Sequence, residues 1–382
     1  MIVGQNSFSE SMEFRSNRLG EALKLAKLDA LIAAAPENAV YLSGAYNPVR
    51  KLLPERPAIV LWPQDGSPLL IAAAIEEEFL RERSVISDRL LYRGKAEAAV
   101  SLLAKAVANA KLSKARIGVD LEGISAHLFQ ELVRKLPNAR FDNATALVAE
   151  LRAVKSGGEV QALREAAVST DCAEWKALDA FRVGWTEKEL AVELRQALIS
   201  EGAETIAFLI LGGGRRGVAA HAAPSSTPLA PGEILRFDMG GFFDGWASDL
   251  AKTACVEEPS PRQRHVYRTL RRILDDHIGR IRPGRTAGEL FDAVSSDFHS
   301  AKLRFDAPHV GHGIGLSVHE WPILSAGNRS PIRSDMALCA ELIYVEEDRE
   351  RYHLEELVLV RQDGAEVISR SRIAEEDIPV IR

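Results

Sequence analysis

The sequence predicts an α+β protein in two parts: a smaller α/β domain, residues 1–152, and a second domain, residues 153–382, whose helices cover a largely antiparallel sheet. Three patterns predict it. Residues 14 to about 150 alternate helical periodicity with short apolar runs, as α/β units do. Gly157-Gly158, flanked by charge, then marks a boundary ahead of long helical patterns. Beyond it, two apolar stretches fold back on turn signals, as hairpins do.

In order, Leu19 to Leu28 has helical period, and DALIAAA is a short apolar run consistent with a buried strand. AIVLW and LLIAAA flank Pro-Gln-Asp-Gly-Ser-Pro, giving strand, turn, strand. KAEAAVSLLAKAVANAKL is rich in good helix formers; RIGVDLE reads as a strand and SAHLFQELVRKLP as a helix. Asp120 and Glu122, near the end of that strand, read as solvated acids. After the boundary a helical pattern runs to about Phe181. Thr186 with Glu189, and Thr286 with Glu289, have the spacing of capping boxes, in which each side chain satisfies an orphan backbone N–H. The strand IAFLIL and a hairpin over Glu233 to Val256 lie between those helices. Gly212-Gly213-Gly214 lacks phosphate-loop spacing and reads as a flexible rim over a cleft. Arg262 to Arg272, interleaved with Val266, Leu270 and Ile273, reads as the wet face of an amphipathic helix.

Composition narrows the function. A chain of 382 residues has room for two domains, and 46% hydrophobic with 27% charged residues is ordinary for a soluble protein. A net charge of −6 without any Lys/Arg run argues against nucleic acid as a partner. No apolar run reaches the ~18 residues of a membrane span, and MIVGQNSFSESMEF lacks the features of a signal peptide. Cys172, Cys255 and Cys339 form no CxxC pair, which suggests a reducing compartment. The expectation is a cytoplasmic protein with no membrane partner.

The chemistry lies in the two hairpins. In EILRFDMGGFFDGWASDLAKTACV, Asp244-Gly245 is the turn signal. A two-residue loop there sets Asp249 opposite Gly240 and makes Asp238 its diagonal neighbour on the same face, roughly 7–8 Å away. That spacing suits two carboxylates reaching for one cation. In MALCAELIYVEEDRERYHLEELVLV, a turn near Glu347 to Glu350 sets Glu341 against Glu355 within apolar runs. An acid in a buried strand is costly unless paired or metal-bound. The charges of EEDRE, and Glu356, read as solvated turn or strand-edge groups. APHVGHGIGLSVHEWP adds His312 and His319. Asp238, Asp249, Glu341 and Glu355 carry −4 when ionised, which two divalent cations balance. Oxygen-rich ligation with one imidazole suits Mn²⁺, with Co²⁺, Fe²⁺ or Zn²⁺ as alternatives. Two such ions about 3.5–4 Å apart can share a bridging water and polarise a substrate oxygen.

The order Asp, Asp, His, Glu, Glu, carried by DMGGFFDGWASDLAKT, GHGIGLSVHE, MALCAE and HLEELVLV, resembles the creatinase/aminopeptidase superfamily of metallopeptidase family M24, nearest its Xaa-Pro dipeptidases and aminopeptidase P. The resemblance implies a C-terminal pita-bread fold behind a creatinase-type N-terminal domain. It implies that Asp238 holds one metal, His312 and Glu341 the other, and Asp249 and Glu355 both, with hydrolysis of an Xaa-Pro bond by a metal-bridging hydroxide. Glu341 would also take a proton from the attacking water. His221, seventeen positions before Asp238, and His319 would hydrogen-bond the substrate and the tetrahedral intermediate. A homodimer and a small peptide or amide substrate are further implied. The chain departs from the Xaa-Pro pattern at Leu342-Ile343, where Pro-Gly is usual, at Lys252, where Arg is usual, and at Trp246 and Trp321. These leave as alternatives a creatine-, ectoine- or dimethylsulfoniopropionate-like substrate, or a non-catalytic binding protein. Arg215, Arg216, Arg329 and Arg333 are the candidate substrate-carboxylate anchors.

Overall fold

The computed structural model describes residues 4–49, 53, 55–370 and 377–382. The chain forms two compact units: Met1–Arg152 with Ser156–Glu159, and Ala153–Lys155 with Val160–Arg382. No helix among the described residues is long and apolar enough to cross a membrane.

The first unit runs α1 (Gly4–Ala26), β1 (Ala30–Ala33), α2 (Pro36–Ser43), β2 (Ile59–Pro63), β3 (Leu69–Ala73), α3 (Glu77–Arg83), β4 (Arg89–Tyr92), α4 (Ala96–Asn109), β5 (Arg116–Val119), α5 (Ala126–Lys135), β6 (Arg140–Asn143) and α6 (Thr145–Ala153). Its mixed sheet has the order β4-β3-β2-β1-β5-β6. Only the β1–β2 and β2–β3 pairs are antiparallel. Val100, Leu103 and Leu132 of α4 and α5 join Ile32, Ile59 and Val119 of the sheet in one core. Asp120 is not the solvated acid expected. It is fully buried and accepts hydrogen bonds from the Ala34 and Ala35 amides and the Asn38 side chain. The acid ties the end of β5 to the start of α2.

The second unit continues with α7 (Gly157–Ala180), α8 (Glu187–Ser200), β7 (Thr205–Gly213), β8 (Ile234–Phe243), β9 (Trp246–Ala247), β10 (Leu250–Val256), α9 (Pro261–Arg280), α10 (Ala287–Ser300), β11 (Gly311–Gly313), β12 (Glu320–Ile323), β13 (Ala337–Glu346), β14 (Glu350–Arg361), β15 (Gly364–Val367) and β16 (Val380–Ile381). Both expected capping boxes form, and a third, Ser260 with Gln263, opens α9 behind a first-turn proline. Instead of one sheet there are two, β16-β10-β8-β7 with β9 on β8, and β12-β11-β13-β14-β15. Every pairing is antiparallel except β10–β16. Phe181, Leu190 and Leu194 of the α7–α8 segment pack on Leu211, Phe237 and Met239 of the first sheet. Val266, Leu270, Leu290 and Phe298 of α9 and α10 pack on Leu338, Leu342 and Val358 of the second. The buried Thr253 hydroxyl links the sheets: it donates to the His353 carbonyl (2.9 Å) and accepts from the His353 amide (2.8 Å).

Two surface readings need correction. Gly212 to Gly214 is no flexible rim: all three residues are buried. A Cβ on Gly212 would lie 2.8 Å from the Gly217 Cα, and one on Gly213 would lie 2.5 Å from Leu229. The glycines permit close packing. Arg271 leaves the wet face of α9, being only 8% exposed, and binds Asp275 and Glu356.

Candidate metal centre

The first hairpin turns at Asp244-Gly245, both at positive φ (47° and 89°), as a type I′ turn requires. Phe243 pairs with Trp246, Phe242 with Ala247, and Met239 with Leu250. That register sets Asp249 beside Gly240. Glycine is needed there, because a Cβ would fall 2.0 Å from the Ser248 carbonyl oxygen. In the second hairpin Glu341 lies directly opposite Glu355. His312, on β11, pairs with Cys339 of β13.

The five expected ligands converge, and none is more than 9% exposed. His312 Nε2 lies 3.5 Å from Asp249, 3.6 Å from Glu341 and 3.9 Å from Glu355. Donor atoms of Asp249, His312, Cys339 and Glu355 sit within 4.8 Å of one another, as do those of Glu341, His353 and Glu355. Glu355 belongs to both groups. Asp238 joins through His353, whose Nδ1 is 3.6 Å from its carboxylate.

Burial, then the charges of neighbouring acids, push the carboxyls of Asp249 and Glu355 well above the usual range. Asp238 is raised by burial as well, with His353 opposing. Glu341 moves the other way. Burial would raise it, but hydrogen bonds from His309 (3.1 Å) and His353 (3.1 Å) outweigh that and hold it well below its ordinary value. Burial lowers His312 to about 4, keeping the imidazole neutral. Asp238 Oδ1, Glu355 Oε1 and His353 Nδ1 are buried without a hydrogen-bond partner. Unpartnered buried oxygens in a cluster of like charges are expensive, and divalent cations would satisfy them. The donor set therefore fits such ions.

A cavity of about 620 Å³ opens over the cluster. Phe208, Ile210 and Ile343 give it an apolar wall; His221, His309 and His319 line it too. The His319 ring stacks on His312 at 3.8 Å and 21°, and burial lowers its pKa. Of the departures from the Xaa-Pro pattern, Ile343 lines this cavity. Lys252 instead faces away, binding Asp171 (2.5 Å) and Glu174 (3.0 Å) over the Trp175 ring.

Several residues lay beyond the sequence reading. His353, Cys339 and His309 adjoin the expected ligands. The period of two along β14, which aims Arg351, His353 and Glu355 at one face, could have found His353. Arg215, Arg216, Arg329 and Arg333 do not line the cavity; Arg236 and Arg351 do. Glu356 is buried rather than solvated, held on the opposite face by Arg271 (2.9 Å), Arg370 (3.0 Å) and Ser369 (2.7 Å).

Comparison with known proteins gives this geometry a context. The family model of metallopeptidase family M24 matches residues 161–362, and that of the creatinase/prolidase N-terminal domain matches residues 15–154. The chain is 33% identical over 225 residues to the protein named "Probable dipeptidase PepE" of Mycobacterium tuberculosis, covering 58% of this chain and 60% of that protein. It is 30% identical over 232 residues to an Xaa-Pro dipeptidase of Lactobacillus helveticus, covering 58% and 62%. These alignments span about three-fifths of each relative's length. The crystal structure of dipeptidase PepE from Mycobacterium ulcerans superposes over 97% of this chain and 98% of that one, with a TM-score of 0.84 and 26% identity. With its family model matched over more than half its length, this chain belongs to metallopeptidase family M24.

Proposed function

We propose that the protein is a metal-dependent dipeptidase that hydrolyses the bond of an Xaa-Pro dipeptide. The observation that carries this reading is the meeting of four buried carboxylates and a neutral imidazole beneath one cavity, with Asp238 Oδ1 and Glu355 Oε1 unpartnered. Two divalent cations would be held by Asp238 on one side, His312 and Glu341 on the other, and Asp249 and Glu355 between. Mn²⁺ suits the oxygen-rich set best, with Co²⁺, Fe²⁺ or Zn²⁺ as alternatives. When bound, such ions supply Lewis acidity and lower the pKa of a water.

The chain's own groups would do the rest. Glu341, kept ionised by His309 and His353, is the proton acceptor for the attacking water and returns the proton to the leaving nitrogen. His319, neutral and stacked on His312, donates an N–H toward the oxygen where negative charge develops. His221, on the cavity wall, orients the substrate. Phe208, Ile210 and Ile343 offer an apolar surface for a proline ring and keep bulk water out. The Lactobacillus relative named Xaa-Pro dipeptidase supports the choice of peptide. A cytoplasmic homodimer completes the reading.

The second reading, a small non-peptide substrate, is favoured by Ile343, which occupies cavity wall where the Xaa-Pro pattern has Pro-Gly. Metal analysis followed by a substrate panel separates the two. We expect two equivalents of divalent metal and hydrolysis of Xaa-Pro dipeptides. Turnover of creatine- or ectoine-like amides alone would shift the assignment to the second reading. Metal-loaded protein that cleaves nothing in the panel would overturn both.

A further inference from the structure

We propose that Arg236 and Arg351 are positioning residues, which hold His221 at the cavity by gripping the backbone that carries it. The assignment rests on the peptidase reading above, in which His221 orients the substrate, and adds two residues to that site.

His221 is exposed on a segment, residues 219–227, that belongs to no helix or strand and follows a short 3₁₀ turn (Gly214–Val218). The carbonyls of such a segment must find donors elsewhere in the fold. Arg236 supplies three of them. Its Nε donates to the Gly217 carbonyl (3.3 Å), and its Nη2 to the carbonyls of Ala219 (2.7 Å) and Ala220. Arg351 Nη1 donates to the Val218 carbonyl between them (2.9 Å). Beyond His221, the Leu211 amide donates to the Ala222 carbonyl (3.1 Å) and Arg216 Nη2 to that of Ala223 (3.0 Å). Glu187, 1% exposed, fixes the far end: it accepts from the Ser225 amide (2.8 Å) and binds Arg216 (3.1 Å). The backbone is thus held on both sides of His221, and its imidazole is left to line the cavity.

Arginine suits this task. A planar guanidinium carries five N–H donors in fixed directions, so one side chain can grip several carbonyls at once. Arg236 is 1% exposed, and burial lowers it to about 10, which leaves it charged at neutral pH. The partners of Arg236 and Arg351 are carbonyls, where Arg280 and Arg370 pair with the acids Asp297 and Glu356. A buried charge spent on neutral acceptors is costly, and what it secures here is the path of one segment. Position gives the grip its use. Arg236 shares a face of β8 with Asp238, two residues on, and Arg351 shares a face of β14 with His353 and Glu355. β8 and β14 lie in different sheets. Each sheet therefore contributes a strand that bears candidate ligands and also holds the His221 segment, so the place of His221 is referenced to the centre from two sides. Loosening either grip lets the imidazole drift, and a misplacement of about 1 Å can cost up to about a hundredfold in rate.

The test combines hydrogen exchange read by mass spectrometry with a double-mutant cycle, both on the full-length, metal-loaded protein. Arg236→Gln and Arg351→Gln should speed amide exchange across residues 217–225 about tenfold or more, and leave β13 within about twofold, with metal content unchanged. Arg351 carries the cycle, because its loss leaves the three Arg236 bonds to keep the chain folded. On an Xaa-Pro dipeptide, Arg351→Gln should lower kcat/KM about tenfold. In a His221→Ala background the same change should cost less than about twofold, since the group it positions is gone. Arg351→Lys, which keeps a donor for Val218, should recover most of the loss. Unchanged exchange in residues 217–225, exchange that rises equally throughout the unit, or an equal loss of kcat/KM with and without His221 would overturn the assignment. Exchange confined to that segment in a protein that hydrolyses no Xaa-Pro dipeptide would leave the grip standing and overturn the peptidase reading alone.

Discussion

Glu355→Gln should change stability in opposite directions with and without metal. Donor atoms of Asp249 and Glu355 lie within 4.8 Å of each other. Two ionised carboxylates at that separation repel by about 3.5 kcal/mol at an effective dielectric constant near 20. The isosteric amide removes the charge and keeps the volume. In chelator at pH 8, the variant should therefore melt above wild type, by up to about 10 °C for a unit of this size. The difference should shrink in acid. The Glu355 carboxyl is raised above its unfolded value, so the folded state holds the extra proton and wild type loses stability as pH rises from ~4.5. The glutamine variant lacks that slope. Saturating Mn²⁺ should reverse the order, because two sites filled at a hundredfold excess add about 5 kcal/mol to wild type and much less to a centre lacking the acid that belongs to both groups. Thermal melts across pH 5 to 8, in chelator and in Mn²⁺, would show it. A variant less stable than wild type in chelator at pH 8 would refute the picture of an electrostatically strained cluster awaiting cations.

Two further outcomes follow from residues outside the cluster. Lys252→Met should cost about 3–5 kcal/mol in chemical denaturation, because it leaves Glu174, fully buried, without its cation; a loss below 1 kcal/mol would show the pair to be dispensable. His277 is fully buried, bonded to the Val310 carbonyl (2.9 Å), and lowered by burial to about 4. Its unfolded form takes up a proton at higher pH, so its contribution is complete above about 6.5 and falls by about 3 kcal/mol as pH drops to 4. His277→Gln, which keeps an N–H for Val310, should flatten that part of the urea-midpoint profile; equal acid slopes in both proteins would exclude the histidine as the cause.

Local chemistry explains what could be read in advance. Asp244-Gly245 imposes its register on the first hairpin through backbone conformation, so the placement of Asp249 beside Gly240 needed only the alternation of strand faces. Glu341 against Glu355 was legible for a similar reason: two acids within apolar runs equidistant from a charged turn. The approach of His312 was not local, since β11 meets β13 across the sheet, and it came only from resemblance. The misread residues share one cause. Asp120 and Glu356 read as solvated because acids usually are, yet their partners come from remote segments: Ala34, Ala35 and Asn38 for the first, Arg271 and Arg370 for the second. Gly212 to Gly214 look mobile by composition, and only the approach of Gly217 and Leu229 reveals why side chains are excluded. Arg351 was hidden among turn charges, because strand period alone does not show which face meets a cavity.

The twin glutamates of β14 create a hazard in assembly. A one-residue slip of β14 against β13 that brings Glu356 to the place of Glu355 would exchange their faces and still aim a carboxylate at the candidate metal centre, so that side alone could not reject the error. The guanidiniums behind the sheet can. In that register Arg271 and Arg370 would confront Leu357 in place of Glu356. Fidelity of the hydrolytic face is thus proofread from its reverse, by an ion pair that never meets the substrate.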